Sequence, residues 1–222
     1  MRCMCFSSTA SFTAAGVLLI IGVQTVQRAS RTADLPFAAI PLFFAFQQGL
    51  EGLLWLSLLD DAQPFKDLLT QAFSLFSQVV WPVHIPVAVL LLEGVPWRRK
   101  VLIVISFAGA AVSVFLLYYL VQRPVVSVIE GHHIRYIFPH FHTFAASGLY
   151  LMGACVAPLV SSHRVVRLFG LGVTISLGIT YVFYDAWFIS VWCFFAAALS
   201  VLVLLFFRRK RLLVSDLDNM AS

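Results

Sequence analysis

The chain has 222 residues, of which 61% are hydrophobic and 11% are charged, and its mean hydropathy is +0.94. Soluble domains are about 45–50% apolar and about 25% charged. The composition therefore excludes a soluble enzyme, a disordered tail and a small secreted disulfide protein, and leaves a polytopic membrane protein. The net charge of +5 comes from basic residues scattered between apolar runs. We therefore expect the lipid bilayer, and no nucleic acid, as a partner.

Seven apolar stretches have the roughly 20 residues that a membrane-spanning helix needs. Each is continuously apolar, which predicts helices rather than the alternating strands of a β-barrel. In chain order they are Ala10–Val26, Pro36–Leu58, Leu69–Leu92, Val101–Val121, Phe138–Leu159, Val165–Tyr184 and Trp187–Phe207. The sequence therefore predicts an all-α membrane protein in which residues 1–222 form a single domain of seven transmembrane helices.

Basic residues predict the orientation. One set of span ends carries eleven Lys and Arg residues, including Arg208-Arg209-Lys210-Arg211, and the other set carries four. Because positive charge is retained inside, we expect a cytoplasmic C-terminus and an external N-terminus in a bacterial inner membrane. A cleaved signal peptide in the first stretch is the alternative, but it would invert every later loop against this charge distribution.

The second stretch contains Glu51, at a depth where no stretch contains a Lys or Arg. Gln47, Glu51 and Trp55 are four residues apart and share one helix face. A carboxyl group in the bilayer must be protonated, hydrated, hydrogen-bonded or bound to a cation. The functional interpretation makes Glu51 a catalytic group, a ligand or a proton carrier. The structural interpretation pairs it with Gln47 or with a nearby Ser or Thr.

Candidate metal ligands fall mainly in the predicted outer half of the protein. The residues concerned are His132, His133, His140 and His142 around the fourth connection, Cys3 and Cys5 near the N-terminus, and Cys193 in the last stretch. Thiols and imidazoles suit Cu, Zn or Fe. The outer cysteines Cys5 and Cys193 are equally suited to a disulfide, or are two unrelated small residues. In either linked form, we expect the first and last helices to be neighbours.

His84 differs from the other histidines because it lies near the middle of a span, between Pro82 and Pro86. Two prolines four residues apart predict a helix kink, which either improves packing or lines a cavity. His84 is therefore a candidate for binding a cofactor, with a hydrogen-bonded packing residue as the alternative.

Several motifs resemble those of a family of small bacterial membrane proteins of unknown function. They are Met4-Cys5-Phe6-Ser7-Ser8-Thr9-Ala10-Ser11-Phe12, Gln47-Gln48 with Glu51-Gly52 and Trp55, His133-Ile134 with Tyr136, Ser161-Ser162, Phe169-Gly170, and Ser190-Val191-Trp192-Cys193-Phe194. The resemblance covers nearly the whole chain and implies no activity. It also implies that Met4 is the native start.

Three functions remain open. The first is a metal or haem site in the periplasmic half, with Cys5, Glu51, His133 and Cys193 as ligands and His132, His140 and His142 as alternates. The second is a small-molecule or proton-coupled transporter that uses Glu51. The third is an accessory subunit with a Cys5–Cys193 disulfide. The expected partners are a small-molecule or metal ligand and a second copy of the chain.

Overall fold

The structure is a computed structural model that describes residues 7–60, 63–138 and 144–210, without the side chain of Asp185. Its helices, in chain order, are α1 (Ser8–Arg28), α2 (Leu35–Ala38), α3 (Ile40–Leu59), α4 (Phe65–Leu75), α5 (Trp81–Leu92), α6 (Pro96–Gln122), α7 (Phe144–Leu151), α8 (Ala157–Val160), α9 (Arg164–Phe183) and α10 (Phe188–Leu199). Short 3-10 turns lie at Thr32–Asp34 and Asp185–Trp187, and π-helical turns at Phe76–Val80 and Met152–Val156.

Six helical segments within the described residues are long and apolar enough to cross a membrane. They are Ser8–Arg28, Thr32–Leu59, Phe65–Leu92, Pro96–Gln122, Arg164–Phe183 and Phe188–Lys210. The fifth predicted stretch, Phe138–Leu159, corresponds within the described residues to a shorter apolar helix at Phe144–Val160. The all-α class is confirmed.

Three connections and the end of the last helix lie at one end of the bundle. Lys210 of the last helix forms an ion pair of 2.5 Å with Asp34, which lies before α2. The Glu93 carboxylate accepts a hydrogen bond of 2.7 Å from the Ser162 backbone amide, and the Arg98 guanidinium donates one of 2.6 Å to the Ser161 carbonyl. We call this the basic end, because it also carries Arg28, Arg164 and Arg208.

A β-hairpin covers the opposite end, which we call the hairpin end. Strands β1 (Val126–Glu130) and β2 (His133–Ile137) pair antiparallel, and Glu130 faces His133 across the turn. Gly131 in that turn has a φ of 65°, a conformation that favours glycine. This segment was expected only as the fourth connection between spans, and the hairpin was not predicted.

Helices α5, α6 and the π-helical turn after α7 meet at the carbonyl of Pro82. This oxygen has no i+4 amide partner, because the residue at that position is Pro86. A Cβ atom at Gly109 would lie 1.9 Å from the oxygen, and one at Gly153 would lie 2.4 Å from it. Only a residue without a side chain fits at either position, so the predicted proline break serves helix packing.

The main packing partner of α1 is α3. The Thr25 hydroxyl donates a hydrogen bond of 2.6 Å to the Ala38 carbonyl, and the Phe12 ring lies over Gly52. Helix α10 packs instead against α9, β2 and α3. The expectation that the first and last helices are close neighbours is therefore replaced by an arrangement in which both contact α3.

Candidate functional site

Glu51 lies on α3 with only 3% of its surface exposed. The hydroxyl of Ser190, on α10, donates a hydrogen bond of 2.5 Å to one carboxyl oxygen, Oε1. The side-chain amide of Gln48 donates a weaker bond of 3.4 Å to the other oxygen, Oε2. Glu51 thus joins two helices that are 139 residues apart in sequence, without a basic partner among the described residues.

Gln47 continues the polar face of α3 toward the basic end. Its side-chain oxygen accepts a hydrogen bond of 2.7 Å from the indole nitrogen of Trp81. Cys193 of α10 lies beside both Gln47 and Glu51, and it is buried. The structure therefore brings together two of the predicted ligands, Glu51 and Cys193.

Tyr136 reaches this cluster from the hairpin. Its ring stacks on Phe73 with 4.6 Å between centroids, and it lies close to Glu51 and Cys193. Burial raises the pKa of the Tyr136 phenol well above its usual value, and the nearby side chains of Glu51 and Cys193 raise it further. The phenol therefore stays protonated. Its hydroxyl has no hydrogen-bond partner among the described residues, so it is a donor directed at the interior.

A cavity of about 680 Å³ lies at the hairpin end, between β2, α7, α9 and α10. Its wall is mainly apolar and rich in aromatic residues, which include Tyr136, Tyr150, Tyr181, Trp187 and Trp192, with Arg135 as the charged residue. Tyr136 therefore belongs both to the cavity wall and to the surroundings of Glu51. Ligand pockets in proteins have about this size and are mostly apolar with a few polar groups.

The family of the chain follows from a direct comparison. The profile of a family of unknown function, DUF6629, matches residues 4–217. The chain belongs to DUF6629. Neither the curated proteins nor the solved structures contain a match. Membership in DUF6629 thus agrees with the resemblance to an uncharacterised family, and it brings no activity with it.

The histidines of this DUF6629 protein are spread along the chain. His133 stacks on Trp187 with 4.6 Å between ring centroids, and His132 lies in the hairpin turn. Burial, and then the neighbouring His132, lowers the pKa of His133 below its usual value. His84 lies nearer the basic end, where its ring nitrogen is 3.0 Å from the Pro36 carbonyl oxygen.

Three predicted ligands, Cys5, His140 and His142, lie outside the described residues, and so does Cys3. Within residues 7–60, 63–138 and 144–210, no group of three or more His, Cys, Asp or Glu side chains is placed to hold a metal ion. A site at Glu51 and Cys193 therefore needs further ligands from the N-terminal residues or from residues 139–143.

The structural interpretation of Glu51 expected a bond from a Ser or Thr, and Ser190 supplies it. Which residue would do so was not predictable, because pairing between distant helices leaves no local pattern. The bond from Gln48 and the nearby Tyr136 were missed. A signal was present for Tyr136, since apolar and polar residues alternate from His133 to Tyr136.

Proposed function

We propose that this DUF6629 protein is a proton-coupled transporter that binds a small aromatic or apolar molecule in the hairpin-end cavity. Binding there is coupled to protonation of Glu51. The observation that carries this proposal is the position of Tyr136, which lines the cavity and also lies beside Glu51. A molecule in the cavity and a proton on Glu51 therefore act on one side chain.

The proposal includes seven spans, with the N-terminus and the hairpin end outside and the basic end in the cytoplasm of a bacterial cell. The eleven-to-four distribution of Lys and Arg supports this orientation. The helix Phe144–Val160 has 17 residues, which is at the short limit of about 17–25 residues for a span. Reporter fusions after Arg211 test the orientation, and a periplasmic signal there would contradict it.

The cavity is tested with the dye anilinonaphthalene sulfonate, an aromatic anion that suits aromatic walls beside Arg135. The matched variants are Gly178→Leu and Gly16→Leu. Gly178 lines the cavity and Gly16 lies on α1, and an added Cβ meets no atom within 4 Å at either position. In nanodiscs, we expect Gly178→Leu to lose dye binding and Gly16→Leu to retain it. Unchanged binding by Gly178→Leu would contradict the cavity as the binding site.

Coupling is tested in proteoliposomes. We expect an imposed pH gradient to drive uptake of the dye by the wild-type protein and not by Glu51→Gln. Dye uptake that is equal in both proteins, or that is independent of the gradient, would contradict proton coupling.

A second candidate function is the metal or haem site, because Glu51 bonds Ser190, one helical turn before Cys193, and so lies near that thiol. A carboxylate and a thiolate together suit Zn, Fe or Cu. Elemental analysis and an absorption spectrum of the purified full-length protein test it. We expect a stoichiometric metal that Cys193→Ser removes. Its absence would leave the transporter as the function proposed.

A further inference from the structure

Three buried glutamines lie on α3 and on the π-helical turn Phe76–Val80, and we call them the amide cluster. Gln47, Gln48 and Gln78 are each at most 1% exposed. Within the described part of the chain, four of their polar atoms have no hydrogen-bond partner: Gln47 Nε2, Gln48 Oε1, and both Nε2 and Oε1 of Gln78. Each such atom loses its hydration without compensation if it stays unpaired. Partners other than protein side chains are therefore expected.

Neighbouring contacts place Gln78 at the level of Gln47 and Gln48. The Phe76 ring lies 5.2 Å from the Phe46 ring, measured between centroids, and the Trp81 indole donates to Gln47. Gln78 lies five residues after Phe73, which stacks on Tyr136 near Glu51, and three residues before Trp81, so it is at the level of Gln47 and Glu51. The side-chain amide nitrogen of Gln48 donates a hydrogen bond to the Glu51 carboxyl group. The cluster is thus an extension of the Glu51 surroundings toward α4 and α5.

The chemistry of the four atoms identifies the occupant. Two are amide nitrogens, which only donate, and two are amide oxygens, which only accept. A metal cation satisfies only the oxygens, and an anion satisfies only the nitrogens. Water both donates and accepts, and buried waters commonly make about three hydrogen bonds to such groups.

We propose that internal water molecules bridge the amide cluster and reach Glu51, forming a hydrated path between α3 and α4–α5. The role of the path rests on the proposed function, since it would carry protons to and from Glu51. The existence of the path does not rest on it. The unpartnered hydroxyl of Tyr136 extends the path toward the cavity wall.

Hydroxyl-radical labelling by X-ray radiolysis tests the path directly, because radicals formed from bound water oxidise the side chains next to it. Two buried cysteines give a matched pair. Cys193 is 6% exposed and lies beside Gln47, whereas Cys155 is 4% exposed and lies beside Thr174. We expect the wild-type protein in nanodiscs to be oxidised several-fold faster at Cys193 than at Cys155.

The variant that tests the cluster is Gln78→Met, which keeps the length of the side chain and removes both polar atoms. We expect it to lower the Cys193 rate to near that of Cys155. The control is Gln71→Met, seven residues earlier and only partly buried, whose amide nitrogen donates to the Val125 carbonyl at 2.9 Å and whose oxygen has no partner among the described residues. The control should leave the Cys193 rate unchanged.

Equal rates at the two cysteines of the wild-type protein would overturn the proposal, and so would a Cys193 rate that Gln78→Met does not lower. The measurement uses no substrate and no proton gradient. A transport assay that fails while Cys193 labelling depends on Gln78 contradicts the proposed transporter and leaves the water path intact. Cys193 labelling that does not depend on Gln78, in a protein that still transports, contradicts the water path and leaves the proposed transporter intact.

Discussion

Buried polar groups have different partners at the two ends of the bundle. At the basic end, each buried carboxylate is matched: Asp34 by Lys210 and Arg31, and Glu93 by two backbone amides. In the half that faces the hairpin, Glu51 is bonded to uncharged groups only, and the amide cluster has unpartnered atoms among the described residues. Matched groups hold helices together, whereas unmatched ones keep hydrogen-bonding capacity for ligands, water or protons.

The largest effect is expected at Glu51. We expect Glu51→Gln to abolish gradient-driven uptake while the thermal unfolding midpoint stays near that of the wild type, because the amide oxygen still accepts the bond from Ser190. The control Ser190→Ala keeps the carboxyl group and should retain part of the activity. Full uptake by Glu51→Gln, with only lower stability in Glu51→Ala, would make Glu51 a structural residue like those of the basic end.

We expect Asp34→Asn to lower stability and leave function unchanged, which is the reverse of the result expected for Glu51→Gln. Loss of charge-assisted bonds to Lys210 and Arg31 is expected to cost about 2 kcal/mol of unfolding free energy, with dye binding unchanged. The control is Glu130→Gln, which removes an ion pair to Arg135 whose side chains are both nearly half exposed. Exposed pairs contribute less than about 1 kcal/mol. Thermal unfolding followed by tryptophan fluorescence compares the two variants. Equal losses of unfolding free energy would contradict the claim that buried ion pairs at the basic end stabilise the fold more than the exposed pair does.

Glu93 makes the basic end sensitive to acid. Burial alone would raise its pKa, but hydrogen bonds from the amides of Ser162 and Val95 outweigh burial and hold the pKa below 4.5. A lowered pKa means that the stabilisation is present above about pH 4.5 and is lost as the pH falls through the folded-state value. We expect Glu93→Gln to cost about 1–2 kcal/mol at pH 7 and less below pH 4. A loss that does not change with pH would contradict this assignment.

The smallest effect concerns the hairpin. Because the pKa of His133 is lowered from 6.5, its neutral form is favoured in the folded state. The stabilisation is complete above about pH 6.5 and falls as acid protonates the ring. We expect the protection factors of the hairpin amides, which correct for slower intrinsic exchange in acid, to fall modestly between pH 7 and pH 5. His133→Phe keeps the stacking on Trp187 and should remove that dependence, whereas His132→Phe should not.

The apolar runs predicted most of the fold, because a helix that crosses lipid must be continuously apolar over its own length. The same local pattern placed Gln47, Glu51 and Trp55 on one buried face. The hairpin was missed although its signals are local: alternation from His133 to Tyr136 and a glycine in the turn. The high overall hydropathy favours membrane-spanning helices, so the two-residue alternation that is typical of a short strand was overlooked.

The rest of the site depends on pairing between distant segments. Ser190 meets Glu51, and Trp81 meets Gln47, only because α3 packs against α5 and α10. Neither the order nor the rotation of the helices is encoded in any single stretch. The same is true of α1, whose partner is α3 and not the last helix. The cavity is likewise a product of three helices and a strand, and no one segment predicts it.

The ion pair between Asp34 and Lys210 also sets an order of events during biosynthesis. The two residues are 176 positions apart, and translation adds about 5–20 residues per second. The ribosome therefore needs roughly 10–35 seconds to make Lys210 after Asp34. During that interval Asp34 has only the nearby Arg31 as a partner. The contact that closes the basic end can form only after helices α1 to α10 have all been made.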